Sequence, residues 1–68
     1  MLFLKAVTTE GKLEYFNASK IMSMQPLGKK QDTVKILMGA GLYWKVKADT
    51  MQIITLEEMI KDVETITE

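Results

Sequence analysis

Between Thr33 and Lys47 the chain alternates apolar and polar residues on both sides of a Gly-Ala-Gly triplet. Val34, Ile36 and Met38 point one way and Thr33 and Lys35 the other; then Leu42, Trp44, Val46 and Ala48 oppose Tyr43, Lys45 and Lys47. A period of two belongs to a strand with one buried face, because successive side chains project to opposite sides. Gly39, Ala40 and Gly41 between two such runs read as a three-residue hairpin loop, the glycines taking backbone angles that other residues resist. A phosphate cradle would need the triplet to open a helix, and to carry the Lys and Ser/Thr of the P-loop pattern. Neither is present, so this stretch commits the chain to antiparallel sheet.

The earlier residues extend that sheet. Residues 2–8, LFLKAVT, are strand formers, and Glu10-Gly11 supplies a tight turn into a strand over 12–16, with Leu13 and Tyr15 on one face and Lys12 and Glu14 on the other. Asn17-Ala18-Ser19 reads as the next turn, through the tolerance of Asn for left-handed backbone, and leads into a strand over 20–25. Pro26 lacks a ladder donor, so it ends this strand or places it at an edge. LGKKQD is the most polar loop, followed by strands over 33–38 and 42–48.

The period changes in the last third. Thr55-Leu56-Glu57-Glu58 fits a capping box, with Ile54 and Met59 placed for a hydrophobic staple. Leu56, Met59, Ile60 and Val63 then form one apolar stripe at helical spacing, which predicts an amphipathic helix over 56–66 covering a sheet face. Residues 50–54, TMQII, read either as a sixth short strand or as a first helical turn capped by Asp49; the β-branched Ile53-Ile54 pair favours the strand. The expected fold is therefore a single α+β domain, mainly β, spanning residues 1–68. Its five or six antiparallel strands form a twisted meander, open or barrel-like, with one C-terminal helix packed on one face.

Size and composition narrow the function. A chain of 68 residues buries only about 60% of the surface its unfolded form exposes. It has no Cys for disulfides and no His for a zinc site. Self-association is then the usual remaining source of extra stability. No stretch approaches the ~20 apolar residues of a membrane span, and the first residues lack the basic start and long apolar run of a signal peptide, so the expected location is the cytoplasm. General acid–base and nucleophilic catalysis draw on residues that are absent here or that cluster on the solvent side of the helix. The reading is a non-enzymatic protein with no catalytic, cofactor or metal site.

The formal net charge of zero hides an asymmetry: residues 1–48 hold eight Lys against Glu10, Glu14 and Asp32, while residues 49–68 hold Lys61 against six acids. Either the two halves neutralise each other when packed, or the Lys residues sit on solvated strand faces where they deter edge-to-edge pairing, or the basic body meets an acidic partner or nucleic acid. Every basic residue is Lys. Base readout and bidentate phosphate clamping favour Arg, which argues against nucleic acid. Tyr15-Phe16 and Tyr43-Trp44 each put one ring on each face of the sheet. If Tyr15 and Trp44 face the helix, Phe16 and Tyr43 lie opposite, near Lys12, Lys45 and Lys47. That face suits a protein interface or self-association and, as the alternative, a single-stranded nucleic-acid platform. Met22 and Met24, on one strand face, would add adaptable apolar surface.

FNASKIMSMQP followed by DTVKILMGAGLYWKVKAD resembles the FlbD/SwrD family of small bacterial flagellar and swarming proteins. The matching residues are Asn17, Ile21, Asp32, Thr33, Val34, Leu37, Gly41, Tyr43 and Val46. Here TMQIIT intervenes before the helix, and the Gly39–Gly41 loop is longer than in that family. Family members are not known as enzymes, so the resemblance implies a regulatory or interaction role. Small phage and plasmid accessory proteins share this size and style. The expectation is a small interaction protein that self-associates or docks a protein partner through a sheet face or an edge strand.

Overall fold

The computed structural model of the chain describes residues 1–66 and divides them into two three-stranded antiparallel sheets and one helix. The strands are β1 (Leu2–Val7), β2 (Leu13–Asn17), β3 (Ser23–Leu27), β4 (Thr33–Gly39), β5 (Leu42–Lys47) and β6 (Gln52–Thr55); the helix α1 is Leu56–Ile66. The first sheet has the order β2-β1-β6 and the second β3-β4-β5. They meet at one corner, where Thr8 bridges Val46 and the Thr9 amide donates to the Lys45 carbonyl. The sheets do not close into a barrel, so the barrel-like option is set aside.

The mainly-β class, the terminal helix and the sixth strand follow the sequence reading, while several boundaries move. Residues 18–20 and 48–50 are 3₁₀ turns, so β3 begins at Ser23 and β6 at Gln52. The turn after β2 also works differently. Asn17 stays extended, at φ −66°, and its side-chain oxygen accepts from the amide and hydroxyl of Ser19. Thr50 repeats the device after β5, its hydroxyl donating to the Lys47 carbonyl and accepting from the Val7 amide, which ties the turn to β1. Pro26 lies within β3, whose one partner is β4, as a residue lacking a ladder donor requires.

The period-two reading of β4 and β5 holds residue by residue. Val34 pairs with Val46, Lys35 with Lys45 and Ile36 with Trp44. The connection is shorter than a three-residue loop. Gly39 already pairs with Leu42, so Ala40 and Gly41 form a two-residue turn, and a bulge between Leu37 and Gly39 absorbs the extra residue. Both central residues have positive φ, 52° and 76°, the hand that lets a two-residue turn match the strand twist.

The main core lies between the sheets rather than under the helix. Leu4, Ala6 and Phe16 from the first sheet close on Ile36 and Val46 from the second, with Trp44, Val34 and Met38 packed around them. The Phe16 and Trp44 rings meet edge to face, 5.5 Å between centroids. Helix α1 covers the opposite face of the first sheet. Its capping box forms as expected: the Glu58 amide donates to Thr55 Oγ1 and the Thr55 amide to Glu58 Oε1. The apolar stripe is only half covered. Leu56 and Met59 are half-buried, whereas Ile60 and Val63 remain 45% and 42% exposed.

Ala40 sits at positive φ without being glycine, a conformation that costs an L residue about 1–2 kcal/mol. Ala40→Gly is expected to stabilise the fold by about 0.5–1 kcal/mol after the added freedom of the unfolded chain is counted, measurable by urea titration.

Candidate functional site

Alternation along β1 determines what lies where. Leu4 and Ala6 point into the inter-sheet core, so Phe3, Lys5 and Val7 point to the other side, where α1 sits. Tyr15, paired with Lys5, shares that side, whereas Phe16, paired with Leu4, is buried and 4% exposed. This corrects the expectation that Phe16 lies on an outer face beside the lysines. The expectation assumed one sheet under one helix; a second sheet turns that face of β2 into core. Trp44 likewise faces the core, not the helix.

On β5 the same rule sends Tyr43, Lys45 and Lys47 outward. Tyr43 is 51% exposed and both lysines are exposed. The outer face of the second sheet therefore carries Ser23, Gln25 and Leu27 from β3, Thr33, Lys35 and Leu37 from β4, and Tyr43, Lys45 and Lys47 from β5. Its strands carry no carboxylate, but acids border it: Glu10 lines a hollow with Tyr43 and Lys45, and Asp32 and Asp49 line another with Lys47. Lys35 stands directly opposite Lys45 and lays its ammonium over the Tyr43 ring, 4.5 Å from the centroid. Directly opposed like charges destabilise an antiparallel pair, and the cation–π contact offsets part of that cost for Lys35. Lys29 and Lys30 follow in the exposed β3–β4 connection, with Asp32 the one acid there.

Lys12, Met22 and Met24 do not join this wall. Lys12 lies in the exposed β1–β2 turn of the first sheet, its amide donating to Thr8 Oγ1. Met24 pairs with Ile36 and so belongs to the core side of β3, yet it is 50% exposed on this edge strand. Met22 is 69% exposed, its sulfur close to Gly39. The sequence reading missed Lys35 as a wall residue. Its signal was the hairpin register, since pairing about Ala40 places residue 35 opposite residue 45.

A second polar cluster fastens α1. Lys5 Nζ and Asp62 Oδ2 are 2.6 Å apart, and the Tyr15 hydroxyl donates to the same oxygen at 3.4 Å. The hydrogen bond from Lys5 lowers the Asp62 carboxyl below its ordinary value, and the same bond raises Lys5. Partial burial, then the neighbouring carboxylate, raises Tyr15. These residues hold the helix. Among the described residues no group of His, Cys, Asp or Glu is arranged to hold a metal.

No family model, curated protein or solved structure matches this chain. Its surface chemistry therefore has to speak for its function. No helix among the described residues is long and apolar enough to cross a membrane. The wall combines charge with the exposed Tyr43 ring on a sheet face.

Two expectations follow. Lys45→Glu places an acid opposite Lys35 and should raise stability by about 0.5 kcal/mol, read from the urea midpoint. Asp62 has its pKa lowered by folding, so its contribution is complete above the ordinary carboxylate value and is lost as pH falls through the folded one. Lys5 and Tyr15 are raised, so theirs is lost as pH rises through their folded values. Asp62→Asn is expected to flatten the acid side of the stability profile, monitored by circular dichroism.

Proposed function

We propose that this chain is a non-enzymatic interaction protein that docks an acidic protein surface on the outer face of its second sheet. The observation that carries the reading is the Lys35–Lys45 pairing on a face whose own strands carry no carboxylate, its acids standing only at the border. A single Glu at either position would relieve the repulsion, so the face sacrifices stability to keep its positive charge. Tyr43 supplies rigid apolar area at the centre of that charge, the residue type enriched where proteins meet. Lysine stems add further apolar contact while their ammonium groups stay in water.

Nucleic acid is the second reading, favoured by the exposed Tyr43 ring among lysines. It is the weaker one. Single-stranded platforms stack successive bases on several aromatic rings, and with Phe16 in the core only Tyr43 remains on the wall. The absence of Arg argues in the same direction. The resemblance to the FlbD/SwrD family supports an interaction or regulatory role over an enzymatic one.

The test compares an acidic peptide with a single-stranded oligonucleotide of equal charge, each titrated at low and at moderate salt. Peptide binding that weakens with salt, and is lost in Tyr43→Ala and Lys45→Glu, is the expected result. Tighter binding of the oligonucleotide with a steep salt slope would transfer the function to the second reading. Failure of both to bind at low salt would remove the wall from consideration.

A further inference from the structure

The order of layers places the two charged surfaces of this molecule on opposite outsides. Leu4 and Ala6 face the second sheet while Lys5 faces α1, so the helix and the second sheet cover different faces of the first. Trp44 and Val46 face the first sheet, so Tyr43, Lys45 and Lys47 face away from it. The acidic outer face of α1 and the basic wall are therefore separated by two sheets, whereas Asp49, at the start of the acidic segment, lines a hollow with Lys47.

That separation limits how far the two halves neutralise each other within one copy. Stacked sheets lie about 10 Å apart, so the wall and the outer helix face are roughly 20 Å apart once the helix itself is counted. Screening at physiological salt acts over about 8 Å. Lys5–Asp62 joins the acidic segment to the first sheet. The lysines of the second sheet are too far from α1 to be neutralised by it within one copy.

We infer that the wall of one copy receives the helix of a second copy, head to tail. This rests on the wall being a protein-docking face and names its partner. The outer surface of α1 presents Glu57, Glu58 and Glu64 against Lys61, beside the half-covered Ile60 and Val63. The wall presents Lys35, Lys45 and Lys47 around Tyr43 and Leu37. Signs are opposite, and each side carries apolar area within its charge. Lengths also match, since an 11-residue helix spans about 16 Å and a six-residue strand about 20 Å. Two different patches meet, so the contact is heterologous and propagates into a ring or an open chain of copies. One helix on one small sheet buries less than ~1,200 Å², which places the contact in the weak, salt-sensitive class.

Complementary charge reversal tests this. One variant carries Lys45→Glu and Lys47→Glu; the other carries Glu57→Lys and Glu64→Lys, with circular dichroism confirming that both fold. Sedimentation velocity on a dilution series is expected to show wild-type association at about 20 mM salt that weakens at least ~10-fold by about 500 mM. Each variant alone opposes like charges and should stay monomeric. An equimolar mixture pairs Lys helix with Glu wall and Glu helix with Lys wall, and should assemble again. A monomeric wild type at low salt, variants that still associate alone, or a mixture that fails to assemble would each overturn the head-to-tail contact. Binding of the acidic peptide to the wild-type wall under the same conditions shows whether the docking face itself survives that outcome.

Discussion

Strand β1 is covered on both faces, and the rest of the molecule is arranged around that fact. Leu4 and Ala6 meet the second sheet, whereas Phe3 and Lys5 lie on the side of the helix, where Lys5 reaches Asp62. Both neighbours, β2 and β6, pair with it directly. Because the period of a strand is two, a slip of one residue would send Lys5 into the inter-sheet core and Leu4 toward the helix. The buried cluster that opposes such a slip is small, as a 68-residue chain requires.

Two consequences follow for charge. The helix is anchored by a polar clasp of Lys5, Tyr15 and Asp62 at the covered side of α1, and its apolar stripe is only partly used. The second sheet, buried on one side only, leaves its other side to solvent, and the charged residues of that side are all lysines, set among Tyr43, Leu37, Leu27 and small polar residues. Neutrality of the chain as a whole thus coexists with two strongly unlike outer surfaces.

Much of the wall could be read from the sequence. Tyr43, Lys45 and Lys47 alternate with Trp44 and Val46, and alternation alone assigns them to one side. Phe16 was misplaced for an instructive reason. Local pattern says that Tyr15 and Phe16 point to opposite faces, but both faces of β2 are equally plausible as core until the number of layers is known. The clasp was illegible because Lys5 and Asp62 are 57 residues apart and each reads as an ordinary solvated charge in its own neighbourhood.

The sequence by itself determined most of the elements: five strands from runs of period two, a sixth favoured by its β-branched pair but left open against a helical turn, and one helix from its capping box and its 3.6-residue stripe. Those signals act between residues a few positions apart, so they survive without knowledge of the fold. Only the tertiary structure decided that the strands divide into two sheets, that the core lies between them, and that the helix and the lysine wall end on opposite outsides. Layer order depends on which apolar faces find each other across the chain. Several pairings of half-buried faces satisfy the same local pattern, and the packing of Phe16 against Trp44 and of Leu4 and Ala6 against Ile36 and Val46 selects one of them.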